Sequence, residues 1–150
     1  MIIALGIPIY RCDVAFFLET TIDELNTFYN KNRKNLDEED YRLLRKDIED
    51  TKKTGGAVYT FGVNYIMYVR NTKEKGHCDH ELWHLTNSIL NDRGVEHTST
   101  DEPYAYLNEW LHDEFRNILK DFNKEKKDEK AGRTSGNGSG ANTEGEKPEG

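Results

Sequence analysis

Apolar residues along this chain alternate between two periodicities, and each change of period marks an element. Ile2 to Ile9 and Val14-Ala15-Phe16-Phe17-Leu18 read as extended, core-facing segments, although the second is also compatible with the opening of a short helix. Thr21-Ile22-Asp23-Glu24 follows, with a hydroxyl three residues ahead of a carboxylate, so that each side chain can satisfy the other residue's orphan backbone N–H. A helix is predicted from that point, burying Leu25, Phe28 and Tyr29. After a polar, basic turn over 30–35, the acidic run Asp37-Glu38-Glu39-Asp40 suits the positive end of a second helix, whose buried stripe is Tyr41, Leu44 and Ile48. That run reads as a solvated helix start and not as a cation site.

Gly55-Gly56 breaks the helical pattern, and Ala57-Val58-Tyr59-Thr60-Phe61 reads as a strand. Gly62-Val63-Asn64 turns the chain into a second strand, Tyr65 to Arg70, which predicts an antiparallel hairpin whose aromatic residues serve sheet packing. Asn71 to Gly76 is a loop. Helical spacing returns with Leu82, Leu85, Ile89 and Leu90; Asp79 is placed as the N-cap, and Gly94 is placed to end the helix in a left-handed conformation. A last helix starts near Asp101-Glu102-Pro103, because proline is favoured in a first turn. Tyr104, Leu107, Leu111, Phe115, Ile118 and Phe122 form its core-facing stripe, and Glu102, Tyr106, Glu109 and Asp113 its polar face. The short connection after Gly94 sets these two helices side by side. The expected fold is α+β, a small antiparallel sheet or hairpin packed on about four helices.

Composition changes this picture at the C-terminal end. Past Phe122 come Lys124-Glu125-Lys126-Lys127-Asp128-Glu129-Lys130 and then a Gly/Ser/Asn/Thr/Glu stretch. Such a segment buries too little apolar surface to offset its ordering entropy. One domain over 1–122 and a disordered polar tail over 123–150 are therefore expected, with the last helix fraying into the lysine-rich start of that tail. A net charge of -7, with basic residues dispersed among acids, argues against nucleic acid as a partner. Cys12 and Cys78 do not suggest a disulfide scaffold. The start lacks a basic region, Pro8 and Arg11 interrupt its apolar run, and no segment approaches membrane length. No membrane partner and a reducing, cytoplasmic location are the expectations.

His80-Glu81-Leu82-Trp83-His84 carries the chemistry. Histidines at i and i+4 share one helix face, so both imidazoles can reach a single zinc ion, Zn2+, and the glutamate beside the first is placed to take a proton from a zinc-activated water. Cys78, two residues earlier, reads as an ordinary loop thiol because the histidine spacing already meets the metal's need. A catalytic zinc takes three protein ligands and keeps one position open. Glu102 is the preferred third ligand, at the start of the neighbouring helix; Glu109, Asp101 and His97 are the alternatives, and His112 lies off the Glu102 face. Asp113 and Asp101 are candidates to accept the second N–H of each imidazole. His97, Tyr104 and Tyr106 are candidates to steady a developing oxyanion.

This layout, from the motif helix through a glycine-ended turn to Asp101-Glu102-Pro103-Tyr104-Ala105-Tyr106-Leu107, resembles the small gluzincin-type metallopeptidase domains of phages and mobile elements. It is similar to the ImmA/IrrE-like group, in which a glutamate on the helix after the motif helix completes the zinc site and a small residue, here Ala105, follows. The resemblance spans about Ile2 to Phe122, and only the motif pair within it is specific. A third histidine six residues after the second, as in metzincins, is absent, since Leu90 stands there. The resemblance implies a zincin-like fold and a zinc-dependent peptidase with Glu81 as general base and His80, His84 and Glu102 as ligands. The substrate would be a narrow set of proteins or peptides, with a phage or host protein as partner. The alternative is a non-catalytic zinc-binding interaction protein of a phage, located in the host cytoplasm or on the virion.

Overall fold

The computed structural model describes residues 1–34, 36, 38–50, 55–95 and 102–134, with side chains as far as residue 130. Among them, strands β1 (Ile2–Ile7), β2 (Cys12–Leu18), β3 (Gly56–Phe61) and β4 (Asn64–Val69) form one sheet in the order β1-β2-β4-β3. Helices α1 (Ile22–Asn32) and α2 (Glu38–Glu49) separate β2 from β3, and α3 (Lys75–Asp92) and α4 (Glu102–Thr134) follow β4. The architecture is α+β. The sheet is mixed and not antiparallel throughout, because β2 and β4 run parallel with Val14 opposite Tyr65 and Leu18 opposite Val69. A parallel pair needs a long crossover, and α1, α2 and β3 supply it.

Alternation along β2 and β4 feeds two cores. Val14, Phe16, Leu18, Tyr65, Met67 and Val69 face α3 and α4, where Cys78, Leu82, Leu85, Ile89, Leu107, Leu111 and Phe115 meet them. Phe17, Ile66 and Tyr68 face the other way, onto Leu25 of α1 and Leu44 of α2. Both segments that read as extended are strands; β1 and β2 pair through a 3-10 turn, Pro8–Tyr10, closed by Arg11 at φ 49. The expected β3–β4 hairpin is present, and Gly62 at φ 59 supplies its turn. Arg70 ties α2 to this hairpin, donating to the carbonyls of Asp47 and Asp50 at 2.6 and 2.5 Å, while the Tyr59 hydroxyl reaches the Asp47 carboxylate.

Helix ends follow the sequence at three places and depart from it at two. At Thr21 the capping box forms, its hydroxyl accepting from the Glu24 N–H at 3.3 Å and the Glu24 carboxylate accepting from the Thr21 N–H at 2.9 Å. Gly94, at φ 71, ends α3: its N–H donates to the Asn91 carbonyl at 3.0 Å and that of Val95 to the Leu90 carbonyl at 3.0 Å. Proline opens α4 as expected, directly after Glu102. Asp79, expected to cap α3, lies inside it instead, because the helix begins at Lys75 with Glu74 at the N-cap position. Cys78 is thus a buried helical thiol and not a loop residue, and burial followed by Asp79 pushes its pKa up to about 11. The second departure is α4, which runs to Thr134, past the boundary expected at residue 122. Lys126 explains part of that extension, as its ammonium bonds Glu19 and sits 4.6 Å over the Phe122 ring. Residues 135–150, and Asp37 of the acidic run, lie outside the described residues. Among the described residues no helix is long and apolar enough to cross a membrane.

Candidate metal-binding cleft

Helix α3 carries the motif because its inner face is apolar at helical spacing and its outer face is not. Cys78, Leu82, Leu85 and Ile89 recur at intervals of three and four residues and are buried against the sheet, which leaves His80 and His84 on the exposed side. One turn apart, the two imidazoles face each other with Nε2 atoms 3.0 Å apart and ring centroids 4.5 Å apart. Two nitrogens on one tetrahedral zinc, each at about 2.0–2.1 Å, stand about 3.3 Å from one another. As they stand the two rings are in hydrogen-bond contact, a few tenths of an ångström closer than that spacing.

Glu81 occupies a different environment. It is only 6 % exposed and turns toward the edge strand β3. A Cβ added to Gly56 would fall 2.5 Å from the Glu81 Cγ and 2.6 Å from the Tyr68 carbonyl oxygen, so the carboxylate stem lies directly on the strand backbone. Burial lifts the Glu81 carboxyl above the usual carboxylate range, while His80, His84 and His77 pull it back. Gly56, Ala57 and Val58 of β3 and His80, Glu81, His84 and Ser88 of α3 line an open cleft of about 370 Å³. The β3 edge that borders it has no strand beyond it among the described residues.

Helix α4 packs antiparallel along α3. The Thr86 hydroxyl donates to Asn108 at 3.2 Å, and His112 Nδ1 stands 3.5 Å from the Asp79 carboxylate. This order puts Glu109 level with the histidine pair and Glu102 about two turns beyond it. Both carboxylates are exposed, and among the described residues no group of three His, Cys, Asp or Glu side chains is close enough to hold a metal ion together. Glu102 is thus not brought to His80 and His84 in this structure; Asp101 and His97 lie outside the described residues. Asp113 bonds Arg116 at 2.5 Å and not an imidazole of the pair. Tyr104 is half-buried between the helices beside Asn87, and Tyr106 is 70 % exposed.

Four residues of this region were not legible as parts of a site. Gly55-Gly56 reads as a helix breaker, yet it is also the surface that His77 and Glu81 press upon. His77, three residues before His80, donates from Nδ1 to the Glu74 carboxylate at 2.7 Å, and its spacing to His80 is the signal the sequence offers. His112 reads as lying off the Glu102 face, but the antiparallel packing brings it to the motif helix through Asp79. No family model, no curated protein and no solved structure matches the chain.

Proposed function

We propose that this chain is a zinc-dependent peptidase acting on a narrow set of protein or peptide substrates, with a zincin-like fold. The observation that carries the reading is the division of labour on one turn of α3. Two exposed imidazoles stand at metal-sharing distance, and the carboxylate between them is buried against the strand that borders the same cleft. A purely structural zinc site has no use for that carboxylate. His80 and His84 would hold the ion through Nε2 as neutral imidazoles. The resemblance implies Glu102 as third ligand, but it stands about two turns from the pair here, and Glu109, which packing sets level with the pair, competes for that place. Bound there, zinc supplies the Lewis acidity that makes water acidic and a carbonyl electrophilic at neutral pH.

The chain's own residues do the rest. Glu81 accepts a proton from the attacking water and returns it to the leaving amine, and its packing on Gly56 holds it in the lining of the cleft. The outer edge of β3, beyond which no strand lies among the described residues, would pair with an extended peptide through backbone hydrogen bonds and fix the scissile bond over the histidines. The test combines metal content with turnover of a proteome-derived peptide library. Glu81→Gln should fold, keep stoichiometric zinc and lose cleavage about a hundredfold or more. His80→Ala should lose both zinc and cleavage, and the third ligand is whichever of Glu102→Ala and Glu109→Ala loses zinc. Products common to wild type and Glu81→Gln would overturn the assigned base. Stoichiometric zinc without any product from wild type would select the non-catalytic zinc-binding reading.

A further inference from the structure

Of the two large apolar residues in the motif, Leu82 is buried and Trp83 is left half exposed. It belongs to neither core cluster, remains 47 % exposed, and its ring stands edge to face with that of His84 at 5.2 Å. Successive residues of a helix turn by about 100°, so Glu81 and Trp83 lie about 80° to either side of the line midway between His80 and His84. Glu81 turns to β3, where Gly56 meets it. Trp83 accordingly turns away from β3 and stands on the opposite flank of the histidine pair. The cleft itself lies between β3 and the pair, lined by Gly56, Ala57, Val58, His80, Glu81, His84 and Ser88, and the half-exposed indole stands just outside it, beside His84.

We propose that Trp83 determines specificity by receiving an aromatic or large aliphatic side chain next to the bond to be cleaved; the inference rests on the peptidase reading. An extended peptide paired with β3 alternates its side chains between the two faces of the sheet, so every second one points to the face on which α3 packs. There the half-exposed indole stands beside His84 as an apolar surface for it. An apolar side chain placed on it removes water from both partners, whereas a glycine leaves the ring wet.

The probes are N-acetylglycyl hydroxamate and N-acetylphenylalanyl hydroxamate, which chelate zinc alike and differ only in side chain. Binding of each to zinc-loaded protein is measured by calorimetry for wild type, Trp83→Ala and Trp83→Phe. Wild type should prefer the phenylalanyl compound about tenfold, the discrimination an apolar contact usually gives. Trp83→Ala should reduce that preference to about twofold or less with zinc content and glycyl affinity unchanged, and Trp83→Phe should restore most of it. A tenfold preference retained in Trp83→Ala, or absent from wild type, overturns the role of Trp83 alone. Failure of both compounds to bind zinc-loaded wild type overturns the peptidase reading and this inference with it.

Discussion

Gly56 shows how much a single hydrogen can decide. Its missing side chain lets the Glu81 stem and the Tyr68 carbonyl approach within the space a methyl would fill. The carbonyl belongs to a paired strand and cannot swing aside, so Gly56→Ala must shift β3 or expel Glu81. A loss of about 1–3 kcal/mol is expected, the usual cost of overpacking, read as a lower urea midpoint. Gly76 is the contrast, since an added Cβ there meets nothing within 4 Å and the residue lies in the first turn of α3. Gly76→Ala should raise stability by about 0.5–1 kcal/mol, the helix preference for alanine. Equal effects from the two variants would show that Glu81 does not depend on the strand surface. The motif spacing announces His80, Glu81 and His84, but no rule of spacing says that a glycine twenty-five residues earlier supports the carboxylate.

Elements were legible where their own residues set their ends. The capping box of α1 and the left-handed glycine after α3 work through neighbours in sequence, and both form as read. Where a distant partner intervenes, local rules mislead. Asp79 reads as a cap, but the core accepts Cys78 and draws the start of α3 back to Lys75, after which Asp79 faces His112. The lysine-rich end of α4 reads as tail on composition, yet Lys126 reaches Glu19, itself held at φ 47, across 107 positions of sequence. A chain ending at Lys124 should therefore melt about 2–4 °C below one ending at Thr134, as expected for loss of one partly exposed ion pair with its ring contact. Lys126→Ala should reproduce most of that difference. Identical melting of the three proteins would return residues 125–134 to the status of a tail.

At the level of the entire molecule, charge links the N-terminus, the strand end and α4. Burial raises Glu19, but Lys126 and the Thr72 hydroxyl and N–H outweigh it, and its carboxyl lies below its ordinary value. Glu24 is likewise lowered on balance: burial raises it, while the Thr21 N–H and the Met1 ammonium, 3.0 Å away, bring it down. In the unfolded chain both titrate near about 4.3. Below that value the unfolded state binds protons that the folded state refuses, so the stability from these groups is full above it and is lost as pH falls through the lowered folded values. Glu81, raised by burial, acts with the opposite sign. Glu19→Gln should be less stable than wild type at pH 6, and the gap should narrow by pH 3 in urea unfolding. A gap that stays constant across that range would remove Glu19 from the acid response. The amino-acid order alone specified the element types, the hairpin, three helix ends and the three motif side chains, because each depends on contacts within a few residues. The parallel β2–β4 pair, the burial of Glu81 on Gly56, the meeting of His112 with Asp79 and the exposure of Trp83 arose from packing. Each joins residues far apart in sequence or depends on what other elements leave uncovered, and periodicity along a chain carries no record of either.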